Sequence, residues 1–233
     1  MRKLLVAGCS WSDLTRVDKC YGNWLSEEFD AEYHHHGSGV GSNWRIWRTV
    51  SEKIINQKFN RNDILLIQYT NCTRQEFWSS YVETNENRLT DIYGNVILRE
   101  DFDDGQIIKF KVNIPDSQID KNEDQLFTLY ESYFLNKEFE MLKQKQFHMM
   151  FQCMCKEYDL PNVFFISAMG YSQHLLEYPM LPYYDNNIIT LSDSDLEYKK
   201  EYWLEPNDPN HLNASGHKWF SEWLTPQIKD RLR

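Results

Sequence analysis

Two short stretches, one near each end of the 233-residue sequence, carry residue types able to do covalent chemistry. The first is Gly8-Cys9-Ser10-Trp11-Ser12-Asp13, directly after the apolar run Leu4-Leu5-Val6-Ala7. A glycine ahead of the turn lets the backbone bend sharply, so that the serine can project from a strand end. A helix start beyond it would aim N–H groups and a positive dipole end at the Ser10 hydroxyl. The same residues would also make a serine-rich turn with a helix cap and no chemistry. Cys9 is the other nucleophile of this turn. One residue earlier, it would point into the sheet, where a thiol is inert. The second stretch is Asp208-Pro209-Asn210-His211-Leu212-Asn213-Ala214-Ser215-Gly216-His217. A carboxylate three residues before a histidine can share one turn with it just ahead of a helix. The Asp then accepts from one imidazole nitrogen and leaves the other free as a base. An Asx-turn at Asp208 beside a surface His211 is the plainer reading.

The elements that must position these residues follow from apolar spacing. Residues 3–7 read as a first buried strand, 21–29 as a helix and 31–36 as a second strand leading into Gly37-Ser38-Gly39-Val40-Gly41. Trp44, Ile46, Trp47, Val50, Ile54 and Ile55 recur at helical spacing behind a cap at Ser42 or Asn43. Residues 63–69 form the clearest strand, apolar enough to be buried on both faces of a parallel sheet. An Asn/Asp/Gly-rich insertion is expected over 72–125, with a hairpin at 106–114. A helical pattern follows over 124–158, as one long helix or two short ones. Residues 162–166 and 187–191 complete the strands, the latter at an edge, and 214–232 form a last helix broken or kinked at Pro226. This alternation predicts one α/β domain over 1–233. It would be a three-layer α/β/α, doubly wound, flavodoxin-like fold with a mostly parallel sheet of about five strands. Ligands of such sheets bind beyond the carboxyl ends of the strands, where Ser10 falls.

Composition narrows the partners. With 25 basic against 35 acidic residues the net charge is −10, which repels phosphate backbones and anionic lipid heads. Nucleic acid and the membrane surface are therefore not expected partners, and no apolar run reaches spanning length. The opening run stops at Ala7, too short for a signal-peptide core, and the five cysteines are odd in number and irregularly spaced. Reduced thiols and a cytoplasmic location are the expectation. His34-His35-His36 resembles a metal cluster, but neighbours in a strand point to opposite faces, so neither metal nor cofactor is called for. His148 and His174 have no partner nearby in sequence. Trp44 and Trp47 read as core, whereas Trp11 and Tyr69 adjoin the proposed site and would contact substrate.

Together these segments resemble the SGNH (GDSL-like) hydrolase family. Gly8-Cys9-Ser10 matches its first block, with Cys9 in place of the usual acidic residue, a variant similar to phage-associated and bacterial members. Asp208, His211 and Gly216 match its last block. The resemblance implies an acyl-enzyme on Ser10 with His211 as base and Asp208 as orienter. It also implies oxyanion donors from the Ser10 N–H, a glycine N–H after the second strand and an asparagine after the third. Gly41 is the choice for the glycine, with Gly39 next, and Asn71 for the asparagine. Tyr69-Thr70-Asn71-Cys72 stands where the family has Gly-x-Asn-Asp. Thr70, Arg74 and Glu76 look like a subgroup variant that would give Arg74 a part in shaping the site. The implied activity is hydrolysis of small or carbohydrate-linked carboxylic esters. O-acyl transfer to a glycan with the same residues, and a non-catalytic module keeping the fold, are the alternatives. Oligomeric state is not implied by these blocks.

Overall fold

Strand β1 (Arg2–Gly8) is an inner strand of a five-stranded sheet, paired in parallel with β2 (Ala31–Gly37) on one side and β3 (Ile64–Tyr69) on the other. Beyond β3 come β7 (Val163–Ala168) and the edge strand β8 (Ile188–Leu191), also parallel, giving the order β2-β1-β3-β7-β8. This is the flavodoxin-like winding that alternation of strands and helices led one to expect. The computed structural model describes residues 1–8, 12, 17–37, 42–70, 75–79, 100–102, 105–110, 137–168, 178–191, 202–205 and 208–233. For 75–79, 100–102, 105–110, 137, 168, 203–205 and 208–210 only the backbone is described.

Every residue of β3 is buried, and the strand is apolar apart from Gln68 and the hydroxyl of Tyr69, because helices cover both of its faces. Leu5, Ala7, Leu65, Ile67 and Tyr69 face α2 (Asn43–Gln57) and α3 (Lys137–Glu157). Their pleat neighbours Leu4, Val6, Ile64 and Leu66 face α1 (Tyr21–Glu28) and α4 (Ala214–Lys229). Three layers result. At the amino edge the buried Asp63 carboxylate accepts from the Lys3 N–H at 2.7 Å and the Asn60 N–H at 2.8 Å. That tie joins the start of β1 to the turn before β3.

Caps explain where the helices begin and end. The Ser42 hydroxyl accepts from the Arg45 N–H at 3.1 Å, so Ser42, and not Asn43, starts α2. The helix ends at Lys58, in the left-handed region at φ 48°. Asn213 caps α4 by accepting from the Gly216 N–H at 2.9 Å. Of the break or kink expected at Pro226, the break is absent. The helix runs through it to Lys229, while Thr225 Oγ1 and Gln227 Nε2 donate to the carbonyls of Ser221 and Trp223 around it.

The insertion contains a three-stranded antiparallel sheet, β4 (Gln75–Ser79), β5 (Glu100–Phe102) and β6 (Gly105–Phe110), in the order β4-β6-β5. The hairpin joining β5 to β6 therefore precedes the expected 106–114. The long helical pattern becomes α3 over its later part, and residues 124–136, also expected to be helical, lie outside the described residues.

One face of α3 is buried and polar: Glu140, Gln144, His148 and Gln152 recur at a spacing of four, all at most 2% exposed. His148 is thus partnered, by groups distant in sequence. Trp47 Nε1 donates to the Tyr69 hydroxyl at 2.9 Å, so the Tyr69 proton goes to His148 Nδ1. His148 Nε2–H then faces Met180 Sδ at 3.1 Å. Burial pushes His148 down to about 3, and burial followed by the nearness of His211 pushes His217 down to about 4. An unfolded histidine, at about 6.5, binds protons that these two refuse when folded. Stability is then complete above about pH 6.5 and lost as pH falls towards 3 to 4. Thermal melts should show Tm falling from pH 6.5 to about 4, with a shallower fall in His148→Gln. Identical slopes in the two proteins would show that His148 does not titrate this way.

Candidate active site at the carboxyl edge of the sheet

The carboxyl ends of β1 and β2 meet around Ser12, which is fully buried. Its hydroxyl donates to Gln68 Oε1 on β3 at 2.6 Å and lies 2.9 Å from the Tyr21 hydroxyl on α1. Tyr21 donates to the same Gln68 oxygen at 3.2 Å. On the backbone side, His35 Nε2 donates to the Ser12 carbonyl. Two glycines make room for this packing. A Cβ at Gly8 would run into Ser12 Oγ and Gln68, and one at Gly37 would meet the Ser12 backbone. Ser12 is therefore clamped by strands on both sides and by a helix beneath. Gln68 Nε2, buried beside it, has no partner among the described residues.

The other stretch forms part of a strand. β10 (Asp208–Leu212) pairs antiparallel with β9 (Trp203–Glu205), Asp208 opposite Glu205 and Leu212 opposite Trp203. The single turn expected for Asp208 to His211 is thus corrected to a bulged strand. β10 takes four steps where β9 takes two, and such an irregularity breaks strict alternation and re-aims side chains. His211 is half-buried and directly precedes Leu212 and the Asn213 cap of α4. Gly216 lies so close to the Tyr202 carbonyl that a Cβ would collide with it. His217, one residue on, is 2% exposed, and its Nδ1 has no partner among the described residues.

Tyr21 joins the two stretches. Its hydroxyl meets Ser12, two residues past Ser10, and its ring stacks on His217 with centroids 6.3 Å apart and planes 15° apart. Phe220 closes on it edge-on at 5.0 Å. Neither Ser12, Tyr21 nor Gln68 stood out in the sequence as a site residue. The buried polar Gln68, inside an otherwise apolar strand, was the one signal pointing to them.

Ser10, Cys9, Trp11, Gly39, Gly41, Asn71, Arg74 and His174 lie outside the described residues, and of Asp208 only the backbone is described. Tyr69 is a correction. It is 1% exposed, its hydroxyl engaged by Trp47 and His148, so it belongs to the core and not to a substrate surface. The strand is buried on both faces, and adjacency to the site told nothing about which way Tyr69 points. Trp47 is core, as expected, and Trp44 packs edge-on against it at 5.7 Å. The histidine run diverges: His35 reaches the Ser12 carbonyl, while His34 lies 3.2 Å from Glu32 and packs on Phe59. Among the described residues no three His, Cys, Asp or Glu side chains converge to hold a metal, and no helix is long and apolar enough to cross a membrane. Cys20, Cys153 and Cys155 are free thiols.

No protein-family model matches the chain, and no curated protein matches its sequence. Solved structures do. A lipase from a goat-rumen metagenome superposes with a TM-score of 0.52 at 10% identity over 100% of both chains. A protein assigned to the G-D-S-L lipolytic family, from Desulfitobacterium hafniense, gives 0.50 at 12% identity over 97% of this chain and 99% of that one. The Bacillus subtilis protein YXIM gives 0.52 at 10% identity over 98% of this chain and 56% of that one. The chain shares the fold of these structures, a three-layer α/β/α, flavodoxin-like arrangement on an all-parallel five-stranded sheet.

Overpacking the clamp around Ser12 should be costly. Gly37→Ala is expected to lower stability by about 1–3 kcal/mol, read from the urea midpoint. Ser12→Ala should lose about 1 kcal/mol as Gln68 gives up its shortest bond. A Gly37→Ala midpoint equal to wild type would mean that Ser12 is not packed against Gly37 as described.

Proposed function

We propose that the chain is a serine-dependent hydrolase of carboxylic esters, with Ser10 as nucleophile, His211 as general base and Asp208 as its orienter. The observation that carries this reading is the Tyr21 junction. One side chain holds the segment two residues past Ser10 and the helix turn six residues past His211. The two stretches with chemical potential, remote in sequence, are thus tied to one buried ring at the carboxyl edge of the sheet, where doubly wound folds bind ligands. The lipase and G-D-S-L lipolytic protein among the matched structures support ester chemistry.

In this reading His211 takes the Ser10 proton as Oγ attacks the ester carbonyl, while Asp208 holds the imidazole in the productive tautomer. The alcohol leaves with that proton, and water then releases the acid from the acyl-enzyme. The Ser10 and Gly41 N–H groups and the Asn71 amide stabilise the oxyanion, each donor typically worth about 3 kcal/mol of barrier. Trp11, directly after Ser10, and Arg74, three residues after Asn71, are assigned to the substrate side. The net charge of −10 favours neutral or carbohydrate-linked acyl esters over anionic lipid surfaces.

Ser10→Ala should lower kcat on an activated ester such as p-nitrophenyl acetate by at least about a thousandfold. A fluorophosphonate probe should label wild type at Ser10 and leave His211→Ala unlabelled. An unchanged rate in Ser10→Ala would remove Ser10 from the mechanism. Absence of labelling in wild type would favour a binding module that keeps the fold.

A further inference from the structure

Asn43, the first residue of α2, is fully buried, and its amide spans three elements. Thr70, the residue after β3, donates its N–H to Asn43 Oδ1 at 2.9 Å, and Asn43 Nδ2 donates back to the Thr70 carbonyl at 3.1 Å. The same Nδ2 donates to Gln144 Oε1 on α3 at 2.8 Å. Gln144 Oε1 also accepts from the Tyr178 hydroxyl at 2.8 Å. Gln144 is fully buried and Tyr178 is 3% exposed, so all of these bonds are made away from water.

A two-way amide bridge fixes both the distance and the rotation between the segments it joins. Asparagine suits it: aspartate could not donate to the Thr70 carbonyl, and alanine would leave the N–H and C=O of Thr70 buried without partners. The bridge also sits at a telling place in the chain. Two residues before Asn43 is Gly41, and one residue after Thr70 is Asn71. Consecutive Cα atoms are only about 3.8 Å apart, so an anchor at 43 and 70 limits where those neighbours can go.

We infer that Asn43 is a positioning residue for the oxyanion pocket, locking the exit of β3 to the start of α2 so that donors from both segments serve one oxygen. Gln144 and Tyr178 hold Asn43 in that rotamer, which ties the segment entering at Tyr178 into the same arrangement. This role rests on the Ser10 reading above. Such positioning acts on the transition state and leaves substrate capture nearly untouched, because misplacing a catalytic donor by about 1 Å can cost a hundredfold in rate.

A control for purely structural loss is available at the opposite edge of the sheet. Asn187 is equally buried and bridges the carbonyls of Pro161 and Val163 at 3.0 and 2.8 Å. Using p-nitrophenyl acetate and the fluorophosphonate probe below each protein's Tm, Asn43→Ala should lower kcat and labelling rate by about tenfold to a hundredfold, with KM within about twofold. Asn187→Ala should lose Tm yet keep kcat. Should Asn43→Ala not fold, Tyr178→Phe, which deletes one hydroxyl from Gln144, should lower kcat by about threefold or more at unchanged KM. Asn43→Ala with a wild-type labelling rate, or Asn187→Ala losing kcat equally, would overturn the inference. So would a wild-type kcat in Tyr178→Phe when it alone folds. No Ser10 labelling in wild type would overturn the Ser10 reading, and this role with it. Wild-type labelling unaltered by Asn43→Ala removes the role alone.

Discussion

Parallel pairing of β1 with β2 on one side and β3 on the other brings Gly8, Gly37 and the Tyr69–Thr70 junction to one edge of the sheet. Everything of chemical interest depends on that constraint. Parallel strands cannot be joined by tight turns, so each chain segment leaving this edge must travel through a loop and a helix before returning. Loops crowd where the strands end, and their polar backbone groups have to be satisfied within a few ångströms of an apolar core. Ser12, Gln68, His35 and Asn43 are the residues that meet this need, each with a side chain bonded to a backbone or side chain of another element.

The two faces of the sheet solve the problem differently. Under α1 and α4 the core is nearly all apolar, and its polar content is concentrated at Ser12, Tyr21, Gln68 and His217. Under α3 a polar stripe runs the length of the buried face. Gln144 takes the Tyr178 hydroxyl, His148 meets Met180 and Gln152 exchanges bonds with the Pro179 carbonyl and the Leu181 N–H. Three successive turns of one helix thereby bond to all four of residues 178–181. A buried polar network of this kind is rigid when fully satisfied and costly when it is not. Residues 178–181 are accordingly held by directed bonds and not by apolar packing alone.

Four of the five strands of the main sheet were legible as short apolar runs between turn residues, β2 (Ala31–Gly37) was legible only from its place before a glycine-rich stretch, and helical spacing with a serine cap disclosed α2. The flavodoxin-like winding followed from their alternation. Facing was less legible. A strand apolar on both sides, such as 64–69, contains no period-two pattern, so Tyr69 could be assigned to the site when it packs beneath it. Asp208 to His211 looked like a turn because Asp-Pro-Asn is turn chemistry, and only its pairing with residues 203–205 makes it a strand. The glutamines of α3 resemble a solvated helix face until partners far along the chain are known. Ser12 lay in plain view as a turn residue, and its burial is a tertiary fact. The roles proposed for Ser10, Asp208 and His211 came from the strand-end serine and the Asp-x-x-His spacing, and the family blocks joined the two.

The packing of α1 against α4 also bears on how the molecule is made. Tyr21 stacks on His217, and Glu28 pairs with Lys229 across a sequence separation of 201 residues. Until the final helix has docked, Leu4, Val6, Leu66 and Phe164 have one face with little to cover it. Closing so long a stretch of chain is entropically demanding, and contacts of this range slow folding. A nascent polypeptide would therefore hold its strands in register while half its core waits for the last helix. Assembly of the Tyr21 junction, and acquisition of any activity that depends on it, become the closing event of folding and not an early one.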